Sequence, residues 1–382
     1  MITKLQNLHE EGQSVWYDNI SRDLINNGSF QKLIELGVLG LTSNPTIFEK
    51  AIGAGMAYDD QIRELVKAGK PADEIFGELA IQDIRSVADI FRPVYEKTNG
   101  ADGYVSIEVS PLLAHDTEGT LVDAHRFYEI LDRPNIMIKV PATPEGIPAV
   151  EALIGEGVNV NVTLIFSLEA YENVAKAYIN GLKKLSESGK KPLSRVASVA
   201  SFFVSRVDVL VDKLIEEKIA ATTDAAQKAE LESLLGKAAI ANSKLAYEKY
   251  EQIFNSPEFA ELRQKGAHPQ RVLWASTSTK NPKYRDVLYA EELIGPDTVD
   301  TMPPATIDAF NDHGEVKRTL DGQYGEAHEV VARLEKAGIK MDEVTGKLLA
   351  DGVKLFADSF NKLIEGVEGK RQKLEKEMET VR

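Results

Sequence analysis

The chain has 382 residues, 43% hydrophobic and 27% charged, enough to bury a large core as one α/β domain or as two ordinary ones. Its 60 acidic and 45 basic residues give a formal charge of −15, which argues against a nucleic-acid partner but allows a locally basic pocket for an anionic metabolite. With no cysteine in the chain, disulfides, thiolate nucleophiles and Cys-based zinc sites are excluded. The six histidines show no HExxH-type spacing. The opening "MITKLQNLHEEGQSVWYDNI" lacks the apolar core of a signal peptide, and no run approaches the roughly 20 apolar residues of a membrane span. The expectation is a cytoplasmic protein with no membrane partner.

Short β-branched segments recur between long helical patterns, the signature of a parallel sheet with helical crossovers. In chain order they are "SVWYD" (14–18), "VLGLTSN" (38–44), "GYVSIEVS" (103–110), "NIMIKVP" (135–141), "VNVNVTLIF" (158–166), "RVASVASFFV" (195–204), "RVLWAS" (271–276) and "TVDTMP" (298–303). Eight strands alternating with helices predict a closed (β/α)8 TIM barrel. An open doubly wound sheet has the same local pattern, but no GxGxxG follows the first strand. The segment 208–269 is too long for one crossover and reads as a helical insertion of two or more helices between strands six and seven. The chain ends in a helix that places Val344, Leu348, Leu349, Val353, Phe356, Phe360 and Leu363 at helical spacing. It is expected to pack on the barrel, with a charged tail free to fray. The organisation is a single domain over 1–382.

Side chains alternate along a strand, so in a barrel one parity faces the helices and the other the interior. In "VNVNVTL" the set Val158, Val160, Val162 and Leu164 suits the helix layer, which turns Asn159, Asn161 and Thr163 inward. The same test sends Ser106, Glu108 and Ser110 inward from strand three, and Met137 and Lys139 inward from strand four. Asp18, Asn44 and Ser276 fall at the C-terminal ends of their strands, where barrel enzymes carry their chemistry. Each residue also has a plain structural reading. A strand lysine often snorkels to water, Glu108 can serve an ion pair, Asn44 before Pro45 can start a turn, and Asp18 can cap a helix. Together they weigh differently. A purely structural interior would use Val, Ile and Leu, because each unpaired buried polar group costs on the order of 1–3 kcal/mol.

Five segments, "LTSNPTIFEKAI", "SIEVSP", "MIKVPATPEG", "NVTLIFS" and "SFFVSRVD", fall in this order on five successive strands. Together they resemble transaldolase, in the longer bacterial and plant-like branch of that family. The resemblance implies a (β/α)8 barrel that moves a dihydroxyacetone unit between sugar phosphates, with no metal or organic cofactor. It matches Lys139 to the Schiff-base lysine, and Glu108 and Asp18 to the catalytic acids. Asn44, Asn161, Thr163 and Ser201 match substrate-contacting positions, and Arg206 and Ser276 match phosphate-binding ones.

The residue types suit that chemistry. A neutral amine condenses with the C2 carbonyl of a ketose, and the protonated imine draws electrons from the C3–C4 bond. The resemblance implies a water set between Glu108 and Lys139, through which Glu108 shuttles protons, and Asp18 would then take the C4 hydroxyl proton. Asn44 and Asn161 would orient the remaining three-carbon enamine. One departure stands out. In the shorter transaldolases the phosphate site after strand seven reads Ser-Phe-Arg, whereas "WASTSTKNP" has Thr277 and Ser278 there, leaving Lys280 to supply the charge.

Two rivals remain. A fructose 6-phosphate aldolase uses the same imine, but those small enzymes place a tyrosine where this chain has Phe203. A non-catalytic sugar-phosphate-binding barrel or assembly subunit would need none of Lys139, Glu108 and Asp18. Oligomeric state is open.

Overall fold

A computed structural model describes residues 2–53, 55–320 and 322–380. Eight parallel strands close into a barrel in sequence order: β1 (Gln13–Asp18), β2 (Val38–Thr42), β3 (Val105–Glu108), β4 (Ile136–Pro141), β5 (Val160–Ile165), β6 (Ser198–Phe203), β7 (Arg271–Ala275) and β8 (Thr298–Met302), with β8 pairing back to β1. Every expected strand is present. The strands after the first are shorter than expected by one to four residues, while β1 starts one residue earlier, at Gln13. Val105, Ile107, Ile136, Ile138, Val140, Val160 and Val162 are all buried, as expected for strands covered by a helix layer.

The N-terminal end of the barrel is sealed by polar contacts. Ser14 Oγ and Trp16 Nε1 donate to the two carboxylate oxygens of Asp102 at 2.7 and 2.9 Å, and the Arg271 guanidinium meets Asp102 at 3.0 Å. Gly40, paired with Trp16, has no alternative: a Cβ there would lie 2.7 Å from the indole ring. The open end is therefore the C-terminal one.

Two expectations of side-chain direction need correction. Asn159 does not serve the interior site; its amide donates to the carbonyls of Pro134 and Ile136 and accepts from Ala197 N–H, tying strand ends together. Leu164 does not continue the alternation of β5. The register shifts between Val162 and Ile165, Leu164 takes φ +60°, and its side chain lies under Gly352 of the C-terminal helix.

The insertion between β6 and β7 is four helices, Ser205–Ala221, Ala225–Glu232, Ala238–Phe254 and Pro257–Gln264. Asp208 fastens it, accepting from Ala239 N–H at 2.7 Å and from Tyr289 Oη at 2.8 Å. The C-terminal helix runs from Met341 to Thr380. Val344, Leu348, Phe356 and Leu363 are buried, while Leu349, Val353 and Phe360 are only partly so. Its tail is held rather than frayed: Leu374 is buried, and Lys370 and Arg63 form ion pairs with Asp59 and Glu377. Among the described residues no helix is long and apolar enough to cross a membrane.

Candidate active site

A cavity of about 650 Å³ opens at the C-terminal end of the barrel. It is lined by Asp18, Asn44, Lys139, Thr163, Ser201, Phe203, Arg206, Ser276 and Lys280 among others, so nine of the eleven site residues read from the sequence meet in one place. The other two do not line it: Asn161 is fully buried, and Glu108 lines a second groove beside the cavity. Glu108, Lys139 and Asn161 are nevertheless side-by-side partners on β3, β4 and β5, which sets both beside the lysine.

Lys139 is 5% exposed. Its Nζ donates to the carbonyl of Ser43 at 3.0 Å and lies 3.5 Å from Glu108 Oε2. That approach is direct, whereas a water hydrogen-bonded to both would hold them roughly 4.5 Å apart at ordinary bond lengths. Glu108 Oε2 has no hydrogen-bond partner among the described residues. Burial pushes the Glu108 carboxyl above the usual carboxylate range; the Lys139 charge opposes that rise and the nearby Asp18 adds to it. Asp18 is raised for the same first reason, against the pull of Lys139, a hydrogen bond from Thr42 and Lys280. Thr42, paired with Asp18 across β1 and β2, donates to Asp18 Oδ1 at 2.9 Å. Two buried acids thus share one amine, and neither is held as a free surface carboxylate would be.

Around this centre the polar side chains divide between fixed and available. Asn161 is spent inside the wall, accepting from Ser201 Oγ at 2.7 Å and donating to Ser106 Oγ at 3.1 Å. Asn44 caps the helix Pro45–Gly53 through Oδ1, which accepts from Ile47 N–H at 3.0 Å, and the residue also lines the cavity. The turn-forming role and a place at the site therefore coexist. Thr163 Oγ1, by contrast, is buried without a partner among the described residues, the state of a hydroxyl that a ligand can satisfy. Phe203 supplies an apolar wall, packed 5.1 Å from the Phe166 ring with the Arg206 guanidinium 5.3 Å from its face.

The rim is cationic. Burial and the neighbouring Arg206 and Lys50 lower the pKa of Lys280, with Asp18 pulling the other way. Lys280 Nζ donates to Ser278 Oγ. Ser276 has φ +60°, and its Oγ meets Ser205 Oγ at 2.9 Å. Five non-glycine residues among those described have positive φ. Three are Asn99, Asp132 and Asp297, types that tolerate it; the other two are Ser276, which lines this site, and Leu164, the residue after the lining Thr163, and such strain of about 1–3 kcal/mol per residue tends to collect at sites. A second groove, about 770 Å³, runs outside the barrel against the same ends of β2 and β3. It contains neither Lys139 nor Asp18.

With the geometry in place, comparison with known proteins is direct. A sequence model described as transaldolase/fructose-6-phosphate aldolase matches residues 15–367. The chain belongs to this family. It is 49% identical over 376 residues to a transaldolase of Trichodesmium erythraeum, covering 98% of each chain. It is 47% identical over 369 residues to a transaldolase of Thermobifida fusca, covering 96% of this chain and 98% of that one. Transaldolase 1 of Streptomyces avermitilis is 46% identical over 368 residues, covering 96% and 95%.

Several residues of this transaldolase-family site escaped the sequence reading. Lys50 lines the cavity from the helix Pro45–Gly53. It falls inside the quoted "LTSNPTIFEKAI", and a second cation placed one helical turn from Thr46 was the available signal. Ser43 contributes only its carbonyl, which no side-chain pattern reveals. Leu355, Phe356 and Ser359 of the C-terminal helix also line the cavity, with Thr46 Oγ1 donating to Ser359 Oγ at 3.0 Å.

Proposed function

We propose that the chain is a cytoplasmic transaldolase of the pentose phosphate pathway, working as one catalytic domain over 1–382. It transfers a dihydroxyacetone unit from sedoheptulose 7-phosphate or fructose 6-phosphate to glyceraldehyde 3-phosphate or erythrose 4-phosphate. The observation that carries this reading is the buried Lys139 amine at the cavity, 3.5 Å from the Glu108 carboxyl, with Asp18 lining the same cavity.

The steps follow from the groups present. The Lys139 amine adds to the ketose C2 carbonyl; Glu108, whose pKa burial raises, takes up the proton the amine sheds and gives it to the departing hydroxyl, and water leaves. Asp18 accepts the C4 hydroxyl proton, the C3–C4 bond breaks, and its electron pair moves into the iminium to form an enamine. The aldose phosphate departs. An acceptor aldehyde then takes the enamine carbon, Asp18 returns the proton, and hydrolysis frees Lys139. Thr163, Ser201 and the Asn44 amide contact the three-carbon fragment, Asn161 holds Ser201, and Arg206, Ser276 and Lys280 take the phosphate. No metal or organic cofactor enters these steps.

Fructose 6-phosphate aldolase is the rival within the family. It must protonate the enamine, and Phe203 offers an apolar ring at that wall, packed on Phe166. The test is incubation with fructose 6-phosphate, borohydride reduction and peptide mapping. The adduct is expected on Lys139 and lost in Lys139→Ala, together with more than about a thousandfold of transfer activity. An adduct on any other lysine overturns the reading, and release of free dihydroxyacetone as fast as transfer selects the aldolase.

A further inference from the structure

The end of β7 and the segment after it line the cavity through Ala275, Ser276, Ser278 and Lys280, but Thr277 is absent from that lining. Thr277 is fully buried and turned the other way, donating from Oγ1 to Asp300 Oδ1 at 2.8 Å and lying 3.3 Å from the Thr301 carbonyl. Asp300 is itself fully buried on β8, beside Trp274 of β7. The chemistry derived above gives this carboxyl no part. No cation is paired with it among the described residues, and its Oδ2 has no hydrogen-bond partner. Such a group is a liability in a core unless it does something. The residue before Thr277 is the strained one: Ser276 holds φ +60° while its carbonyl accepts from Ser205 N–H at 3.1 Å. A strained conformation persists only where its surroundings over-determine it. Ser276 is gripped on one side by Ser205 and on the other by whatever fixes Thr277.

We propose that Thr277 and Asp300 form a positioning pair for the phosphate side of the cavity. The hydrogen bond to Asp300 fixes Thr277 in the core, which holds Ser276 in its left-handed conformation and directs Ser278 and Lys280 toward a phosphoryl group. The nature of that ligand rests on the sugar-phosphate reading given above; the tether itself does not. Neither residue touches the substrate, so both act through Ser276 and the segment that follows.

Thr277→Val keeps the shape and removes the hydroxyl, Thr277→Ser keeps the hydroxyl, and Thr277→Ala removes it with the least steric demand. The probe is glycerol 3-phosphate, which has no carbonyl and cannot form an imine, titrated calorimetrically with glycerol as control. Thr277→Val and Thr277→Ala are expected to weaken glycerol 3-phosphate binding about tenfold or more, and to raise KM for fructose 6-phosphate equally with kcat within about threefold. Thr277→Ser is expected to stay within about threefold of wild type, and Asp300→Ala to behave as Thr277→Val does. The proposal is overturned if Thr277→Val and Thr277→Ala bind the phosphate as wild type does, if Thr277→Ser is as weak as Thr277→Val, if kcat falls with KM unchanged, or if wild type does not bind glycerol 3-phosphate. Wild type that transfers normally while Thr277→Val is unaltered removes this inference and leaves the proposed function standing. Loss of phosphate binding in Thr277→Val, in a protein that never traps an imine, does the reverse.

Discussion

Asp18 and Glu108 are both carboxyls raised by burial and both opposed by Lys139, yet their surroundings assign them different work. Asp18 has one oxygen occupied by Thr42 and lines the cavity, so it can reach a substrate hydroxyl; Glu108 does not line that cavity but lies 3.5 Å from the Lys139 amine, so it can serve the amine and what condenses with it. Asp18→Asn is therefore expected to leave borohydride trapping nearly intact while slowing C3–C4 cleavage by about 10²–10⁴; equal loss of trapping and turnover would sink the division of labour. The three cations at the mouth also differ. Arg206 is partly buried against Phe203 and presents a planar fork, whereas Lys280 and Lys50 are point charges on flexible stems. Arg206→Ala is expected to raise KM for fructose 6-phosphate and erythrose 4-phosphate by roughly ten- to a hundredfold, the equivalent of ~1.5–3 kcal/mol for bonds to a charged group. Lys280→Ala and Lys50→Ala are expected to do so more weakly, with kcat falling less than kcat/KM. Steady-state kinetics with phosphorylated fructose and with fructose itself checks the order: a lysine variant that affects both substrates alike does not hold the phosphate.

At the scale of elements, the eight strands were legible because each is a β-branched run bounded by polar or turn residues, and the inward set was legible wherever the alternation is unbroken. The limit shows at β5. Nothing in "NVTLIF" signals the bulge, since the sequence alternates straight through Leu164; the kink is imposed by the neighbouring strand and by the C-terminal helix. For the same reason Phe356 could be read as part of a helix face but not as part of the cavity, because a period tells which residues share a face and not what the face covers. The contact between Gly352 and Leu164 can be tested directly. A Cβ at Gly352 would sit 3.1 Å from Leu164 Cδ2, a flexible tip that can yield a few tenths of an ångström. Gly352→Ala is thus expected to be neutral or to stabilise by up to ~1 kcal/mol through helix propensity. Gly352→Val should drive into Leu164 and Phe166, destabilise by about 1–3 kcal/mol, and raise KM through displacement of Thr163. Urea denaturation and kinetics of the pair decide this; a Val variant with wild-type KM would show that the helix does not set the position of Thr163.

For the molecule as a whole, two buried carboxyls outside the chemistry set a pH dependence of stability opposite to that of surface ion pairs. Burial pushes Asp300 up to about 7, against one hydrogen bond from Thr277, and Asp208 up to about 6, against bonds from Ala239 N–H and Tyr289. In the unfolded chain both ionise near 3.8. Between about pH 4 and pH 7 the folded protein therefore binds more protons than the unfolded one, and stability falls as pH rises through that window, levelling off above the folded values. For Asp300 alone the full effect is on the order of 4 kcal/mol at 1.36 kcal/mol per pH unit. Exposed pairs such as Arg371 with Glu368, whose carboxyl is lowered to about 2, run the other way but are screened by water and salt, and they cancel when a variant is compared with wild type. Asp300→Asn keeps an acceptor for Thr277 and removes the titration. At pH 4.5 it should be no more stable than wild type, because its buried NH₂ group costs about 1–3 kcal/mol if unpaired. Relative to wild type it should then gain roughly 3 kcal/mol on going from pH 4.5 to pH 8. Guanidinium midpoints for both proteins at pH 4.5, 6 and 8 measure the difference; if that difference stays flat across the series, Asp300 is not the titrating group, and the buried carboxyl is neutral or charged throughout.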